Sequence, residues 1–246
     1  MRKLIGLAVF SAALACSGAN AQQVTVKVGV LSDMSSLYAD IAGPGSVVAA
    51  KLAIADFTKD NPNVKVELIS GDHQNKPDIG SQLANQWYDV DKVDLIIDTP
   101  NSGVALAVSQ ITATKNKVFI VSGAAASDLT GPKCNANTVH WTYDTWMLAN
   151  GTGTALVKTG GNTWFFLTAD YAFGHALERD TAAAVEKAGG KVLGKVRHPL
   201  NTNDFSSFLL QAQSSKAKVI GLANARGDTI NPIKAGGEFG IVKGRQ

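Results

Sequence analysis

The architecture follows from residues 94–131, which read DLIIDTPNSGVALAVSQITATKNKVFIVSGAAASDLTG. Two short apolar runs, Leu95–Ile97 and Val118–Val121, have the composition of buried β-strands. Between them, Val104, Val108 and Ile111 recur at i, i+4 and i+7, which indicates a helix with one apolar face. A strand, a helix and a second strand in this order predict a βαβ unit of parallel strands with a right-handed crossover.

A loop of small and polar residues follows each of these two strands. The loops are Thr99–Gly103 and Ser122–Ser127. In open α/β sheets the ligand crevice lies at the carboxyl ends of the strands, so both loops are predicted to face one crevice. Their backbone N–H groups and the start of the intervening helix suit an anion, with a carboxylate as the natural ligand. Small residues are also typical of ordinary βα turns, and the loops alone leave both interpretations open.

The composition indicates a folded protein without a nucleic-acid-binding surface. The 246 residues are sufficient for one large domain or two of ordinary size, and 45% of them are hydrophobic. Lys and Arg number 23 against 20 Asp and Glu, and these charges are scattered along the chain. No basic stripe therefore points to nucleic acid, and no acidic run points to a charged tail.

The first 21 residues have the three parts of a secretory signal peptide. These parts are a basic start, an apolar run and a small-residue cleavage site, namely Arg2–Lys3, Leu4–Ala15 and Ala19–Ala21. The apolar run is far shorter than the roughly 20 residues of a membrane-spanning helix, which disfavours an anchor. Lipidation at Cys16 is the other alternative, and Ala13 disfavours it by standing where that motif usually carries leucine.

Cleavage after Ala21 changes both the charge and the cysteine count. It removes two basic residues and no acidic residue, so the formal net charge falls from +3 to +1. It also removes Cys16 and leaves Cys134 as the single cysteine of the mature chain. We expect an exported, soluble protein of the periplasm, in which Cys134 is a free thiol or pairs with a cysteine outside this sequence.

Alternating strand and helix signals continue on both sides of the central unit. The further predicted strands are residues 26–31, 64–70, 138–142, 163–167, 191–196 and 219–222. Val48, Leu52 and Ala55 mark one helix, and Thr145 is predicted to cap another that runs to about Thr159. An α/β protein of two lobes follows, with the signal peptide at 1–21, an N-terminal lobe at 22–143 and a C-terminal lobe at 144–246. No strand follows the last predicted helix, so we expect the second lobe to be incomplete.

The sequence carries no recognisable motif for catalysis, metal binding or cofactor binding. The four histidines, His73, His140, His175 and His198, are far apart and show no metal-ligand spacing. The sequence contains neither a G-x-x-x-x-G-K-[ST] phosphate loop nor a G-x-S-x-G nucleophile elbow. Residues 226–228 spell the adhesion tripeptide RGD, which chance explains best. The sequence thus predicts no enzyme, no metal and no cofactor.

Two tyrosines and three acids lie on other predicted strand-end loops. Tyr38 and Tyr171 occupy equivalent loops of the two halves, and a tyrosine offers a flat apolar face and a hydroxyl to a ring or a branched alkyl group. Packing alone is the commoner role of a loop tyrosine. Asp33, Asp170 and Asp228 are candidates for contact with a ligand ammonium, although solvated loop acids are common and Asp228 also suits a helix cap.

Taken together, several stretches resemble the type I periplasmic solute-binding proteins of ABC importers, in their branched-chain amino acid-binding (Leu/Ile/Val-binding) family. The stretches are residues 28–45, VGVLSDMSSLYADIAGPG; 99–111 and 118–131; 140–151, HWTYDTWMLANG; and 170–174, DYAFG. The resemblance covers residues 24–244. HWTYDTWMLA and LANARGDTI are most similar to the branch associated with aromatic and other organic acids. Family members continue well past Gln246, which implies a C-terminally truncated chain.

The resemblance implies two Rossmann-like lobes that close on a ligand, and it implies the site residues by position. The implied ligand-binding residues are Tyr38, Asn101, Ser102, Ser122, Gly123, Ala124, Ala125 and Ala126 from lobe one, and Tyr171, Asn224, Ala225 and Asp228 from lobe two. The implied function is capture of a small carboxylate, either an aromatic acid or a branched-chain amino acid, by a monomer that delivers it to an inner-membrane permease. A sensory module feeding a receptor is the alternative. A periplasmic amide hydrolase is disfavoured because no histidine is placed to serve as a base.

Overall fold

Residues 23–241 are described by this computed structural model, and the predicted leader lies outside them. The first sheet contains five parallel strands in the order β2-β1-β3-β4-β5. They are β1 (Val24–Ser32), β2 (Val64–Asp72), β3 (Leu95–Asp98), β4 (Val118–Val121) and β5 (Thr138–His140). The helices between them are α1 (Gly43–Asp60), α2 (Pro77–Asp89) and α3 (Ser102–Thr114). This half is called lobe one.

The second sheet contains three parallel strands in the order β7-β6-β8. They are β6 (Thr163–Ala169), β7 (Lys191–His198) and β8 (Val219–Ala223). Its helices are α4 (Thr145–Leu148), α5 (Thr154–Lys158), α6 (Ala172–Lys187), α7 (Ser206–Ser214) and α8 (Gly227–Glu238). This half is called lobe two. The α/β class and the two Rossmann-like lobes predicted from the sequence are therefore confirmed.

The register of lobe one aligns the carboxyl ends of its central strands. Leu31 pairs with Asp98, Asp98 with Val121, and Val121 with His140, so the loops that follow these strands begin side by side. The core below them is closed by Trp87 of α2, which is 4% exposed. A Cβ on Gly29 of β1 would lie 2.5 Å from two atoms of the Trp87 ring, so only glycine admits the indole there.

Helix α1 forms where it was predicted, but its marker residues face outward. Val48 is 55% exposed and Leu52 is 64% exposed. Gly43 is the one buried residue of α1. The i, i+4, i+7 pattern thus predicted the helix correctly. The residues that mark it do not form a buried face in the part of the chain that the structure describes.

The helix predicted from Thr145 to about Thr159 is confirmed in its extent, because residues 145–158 are helical throughout, with a π-helical turn at Ala149–Gly153 between α4 and α5. The predicted cap is wrong. Asp144, not Thr145, is the cap, and its side chain accepts a hydrogen bond from the Met147 N–H at 2.7 Å. The Thr145 hydroxyl instead accepts from the Ser127 N–H of lobe one at 3.0 Å and donates to Asp180 at 2.6 Å. None of the helices within residues 23–241 is both long and apolar enough to cross a membrane.

Candidate functional site

A small cavity of about 40 Å³ lies where the two lobes meet, and it is called the mouth below. Its lining comes from strand-end loops of both sheets. The lining residues are Tyr38, Ile41, Pro100, Gly123, Ala125, Tyr143, Tyr171, Phe173 and Ala225. Five of these were expected from the sequence: Tyr38, Gly123, Ala125, Tyr171 and Ala225. The structure therefore brings together predicted residues that lie up to 187 positions apart in the chain.

The two predicted tyrosines meet across the mouth. The hydroxyl oxygens of Tyr38 in lobe one and Tyr171 in lobe two are 2.5 Å apart. Tyr38 is 2% exposed, and burial raises its pKa to about 12 in spite of the hydrogen bond that it shares with Tyr171. Burial also raises the pKa of Tyr171 well above its ordinary value. Both phenols are therefore neutral at physiological pH and can donate as well as accept a hydrogen bond.

Asp33 fixes the loop that carries Tyr38. Its buried carboxylate accepts hydrogen bonds from the Tyr38 N–H at 2.8 Å and the Ser36 N–H at 2.9 Å. It also accepts from the Ser36 hydroxyl and, at 2.7 Å, from the side-chain amide of Asn75. These donors occupy Asp33, so its carboxylate holds the loop in shape.

The start of α3 lies directly behind the lining of the mouth. Asn101 caps this helix by accepting from the N–H groups of the next turn, at 2.9 and 3.1 Å. The Ser102 hydroxyl oxygen accepts from the Ala125 and Ala126 N–H groups at 3.3 and 3.2 Å. Asn101 and Ser102 are almost fully buried and lie behind the cavity lining.

The loop after β4 packs tightly against the loop after β3. The Ala124 N–H donates to the Thr99 carbonyl at 3.1 Å, and the Ser122 hydroxyl donates to Asp98 Oδ1 at 3.3 Å. Between these contacts, a Cβ on Gly123 would lie 2.8 Å from Pro100 Cα. Asp98 and Thr99 both have positive φ, 82° and 65°, a conformation that non-glycine residues rarely adopt and that often accompanies functional sites.

The predicted lobe-two residues Asn224 and Asp228 are buried beside the mouth and hold neighbouring loops. The Asn224 side-chain oxygen accepts from the Thr229 hydroxyl at 2.7 Å. Asp228 accepts from the N–H groups of Asn201 and Thr202, each at 3.0 Å. Burial raises the pKa of the Asp228 carboxyl, although these N–H donors oppose the shift.

Polar side-chain contacts join the lobes outside the lining of the mouth. Arg226 of lobe two pairs with Asp40 of lobe one. Asp180 of α6 accepts at 2.6 Å from the hydroxyl of Ser127 in lobe one and, within lobe two, at 2.6 Å from the hydroxyl of Thr145. Arg179, next to Asp180, pairs with Asp128 at 3.0 Å. Sequence reasoning missed all of these contacts, and it missed four cavity residues: Ile41, Pro100, Tyr143 and Phe173.

A larger cavity of about 340 Å³ lies in lobe two, beside β8. Its lining is mostly apolar and includes Leu156, Trp164, Phe166, Leu177 and Val219. It contains none of the predicted site residues. An apolar lining with so few hydrogen-bond donors does not suit a carboxylate, so the smaller mouth is the better candidate site.

A profile of the periplasmic binding protein family matches residues 25–246. The fold resembles a crystal structure of a periplasmic binding protein from Burkholderia mallei, with 55% identity and a TM-score of 0.86, over 90% of this chain and 59% of that one. It also resembles a branched-chain amino acid ABC transporter periplasmic ligand-binding protein from Burkholderia xenovorans LB400, with 38% identity and a TM-score of 0.73, over the same shares of the two chains.

A curated relative is similar along most of this sequence. It is the Leu/Ile/Val-binding protein homolog 6 of Brucella abortus, 28% identical over 216 residues. These residues are 87% of this chain and 54% of the relative. The chain thus spans little more than half the length of the proteins that it matches.

Proposed function

The chain belongs to the periplasmic binding protein family, and on this premise we propose that it captures a small carboxylate between its lobes and delivers it to an ABC permease. The observation that carries the proposal is the contact of Tyr38 with Tyr171 across the mouth. Two aromatic rings from different lobes, each with a neutral hydroxyl, provide apolar surface and hydrogen-bonding groups for one ligand. The relatives are named as binding proteins, which supports a role in transport rather than in catalysis.

The carboxylate is assigned to the wall formed by the loop after β4, behind which α3 begins. The Ala125 and Ala126 N–H groups donate to Ser102 Oγ over long distances, 3.3 and 3.2 Å. A carboxylate oxygen makes shorter and stronger hydrogen bonds with N–H donors than a neutral hydroxyl does. Its negative charge is also favoured at a helix N-terminus. Ala125 lines the mouth, so a ligand there reaches this wall.

The carboxylates near the mouth favour a ligand without an ammonium group. Asp33 accepts from several donors of its own loop, and Asp228 accepts from two backbone N–H groups. Asp170 pairs with His175 at 2.7 Å. Each of these three acids already has partners in the structure. The ammonium group of an amino-acid ligand would have to compete with those partners for a carboxylate. An aromatic or other organic acid needs only the donor wall and the tyrosine rings.

Ligand entry requires the lobes to separate. A cavity of about 40 Å³ has room for roughly three water molecules, since one water needs about 10–15 Å³ by the same kind of measure. An aromatic ring therefore enters only after Tyr38 and Tyr171 move apart. A ligand that contacts both lobes then favours the closed arrangement and shifts the balance between open and closed molecules.

The first test is thermal unfolding of the purified chain with and without a panel of aromatic acids and branched-chain amino acids. A ligand that binds only the folded state raises the melting temperature as its concentration rises. We expect the aromatic acids to raise it and the amino acids to leave it nearly unchanged. A cooperative transition that no member of the panel shifts would contradict the proposed ligand class.

The second test is Tyr171→Ala, with affinity for 4-hydroxybenzoate measured by calorimetry. Loss of the ring and hydroxyl from lobe two is expected to weaken binding at least several-fold with the fold intact. Phe57→Ala is the matched control, because Phe57 is a 47% exposed aromatic residue of α1 that does not line the mouth. Equal affinity of the two variants would place the ligand elsewhere.

Export and domain organisation form part of the same proposal. We assign residues 1–21 to a cleaved leader, the lobe boundary to residues 143 and 144, and a monomeric state to the mature protein. Periplasmic location agrees with the family. Amino-terminal sequencing of the exported protein is expected to begin at Gln22, and size-exclusion chromatography with light scattering is expected to give one chain per particle.

A further inference from the structure

Arg226 and Asp40 form an ion pair that joins the lobes beside the mouth, and it is called the mouth ion pair below. Nη2 of Arg226 pairs with Oδ2 of Asp40, and Nε of Arg226 donates to Oδ1 of Asp40 at 3.2 Å. The partners are 186 positions apart in the sequence. A guanidinium that meets both oxygens of a carboxylate fixes orientation as well as distance.

The backbone of Arg226 is held in an unusual conformation. Its φ is 54° and its ψ is −128°, a combination that side chains other than glycine rarely adopt. Such conformations persist only where the surrounding structure imposes them, and they collect at functional sites. Among the described residues, Asp40 is the partner of the Arg226 side chain. The unusual backbone conformation of Arg226 therefore coincides with a side-chain contact to Asp40 in the other lobe.

The mouth ion pair connects two of the loops that line the candidate site. On the lobe-two side, Arg226 follows Ala225, which lines the mouth. On the lobe-one side, Asp40 belongs to a turn in which the Ile41 and Ala42 N–H groups donate to the Tyr38 carbonyl, each at 3.2 Å. Any separation of Asp40 from Arg226 therefore moves Tyr38 relative to Ala225.

We propose that Arg226 is a positioning residue, which holds the loop after β8 against the Tyr38 turn and so retains a ligand in the mouth. The proposal rests on the proposed function, because closure of the lobes is proposed to retain the bound ligand. Asp40 is 61% exposed and Arg226 is 35% exposed, so the pair is only moderately strong and is screened by salt. Closure and ligand release should both depend on ionic strength.

The ligand-free protein provides the first measurement. The radius of gyration, from small-angle X-ray scattering at about 20 mM and about 500 mM NaCl, reports lobe separation under weak and strong screening. The variants are Asp40→Asn, Arg226→Gln and the charge exchange Asp40→Arg with Arg226→Asp. Asp56→Asn is the control, because it removes one acid from an exposed ion pair within α1, away from the mouth.

The rate of release of 4-hydroxybenzoate, by stopped-flow dilution, provides the second measurement. We expect the Asp40→Asn and Arg226→Gln variants to enlarge the radius, to release the probe about two to five times faster and to lose the dependence on salt. The charge exchange should restore part of the wild-type behaviour, which a purely structural role of either side chain would not produce.

Two results separate the possible errors. If Asp40→Asn matches Asp56→Asn in radius and release rate, the mouth ion pair is an ordinary surface pair and the proposal is overturned. If the wild-type protein does not bind 4-hydroxybenzoate but the Asp40→Asn variant has a larger radius of gyration than wild type, the proposed ligand class fails. The positioning role of Arg226 is then still supported.

Discussion

Replacing Gly123 by alanine tests whether the two loops behind the mouth are as close as the structure shows. The new Cβ would lie 2.8 Å from Pro100 Cα, 3.2 Å from its Cβ and 3.3 Å from its nitrogen. Carbon atoms in contact normally lie about 3.5–4.0 Å apart. Two of the three opposing atoms are backbone atoms, so a rotamer change cannot relieve the overlap. The loops after β3 and β4 must instead move apart.

The expected cost follows from this overlap. Overpacking of this kind costs about 1–3 kcal/mol. The lower entropy of an alanine-containing unfolded chain offsets less than about 1 kcal/mol of it. A net loss of roughly 1–2 kcal/mol lowers the melting temperature by about 2–8 °C in a chain of this size. Displacement of the loop should also weaken ligand binding, because the Ala125 N–H is two residues away.

The assay is thermal unfolding followed by circular dichroism, with Gly45→Ala as the matched control. Gly45 lies in α1, and a Cβ there meets nothing within 4 Å. Alanine at that position should be neutral or should stabilise the helix by up to about 1 kcal/mol. If Gly123→Ala melts within one degree of wild type, or behaves as Gly45→Ala does, the inferred close approach to Pro100 is refuted.

Three further changes test individual contacts. Asn101→Ala should lower the free energy of unfolding by about 0.5–2 kcal/mol in urea denaturation, because it removes the acceptor that caps α3, whereas Asn101→Asp should keep most of the stability. Burial raises the pKa of Tyr38 and of Tyr88 to about 12, so in a pH titration the folded protein should gain phenolate absorbance at higher pH than the unfolded protein does. The contribution of these tyrosines to stability should be retained below pH 10 and lost as the pH rises from 10 toward 12. Burial lowers the pKa of His73, so its NMR signals should not titrate at the ordinary value of 6.5, and its contribution to stability should be lost as the pH falls below that value.

The order of strands and helices could be predicted because buried parallel strands are continuous apolar runs. The run Val118–Val121 matches β4 at both ends. Such a run depends only on local composition, since both faces of the sheet are covered. The outward-facing apolar residues of α1 could not be foreseen, because periodicity identifies an apolar side of a helix and not what covers it.

The candidate site was predictable in its position and less so in its contacts. Register brings the strand-end loops together, and this follows from a parallel sheet. Ser102 accepts two backbone N–H hydrogen bonds because the loop after β4 folds back toward it. The spacing of residues in the sequence does not encode that conformation of the loop. Residues 226–228 were interpreted as a chance tripeptide, and the contact of Arg226 with Asp40 in the other lobe was not predicted. Long-range side-chain contacts leave no periodic pattern in one sequence.

The backbone of Arg226 has a consequence for how related sequences should vary. Glycine reaches these dihedral angles far more readily than other residues do, so we expect substitutions at position 226 to favour glycine wherever the contact with residue 40 is not under selection. Lineages that keep a basic residue at 226 should keep an acid at 40, and lineages that lose the acid should soon lose the arginine as well. We therefore expect positions 40 and 226 to covary, although neither belongs to the ligand-lining set and 185 other residues separate them in the chain.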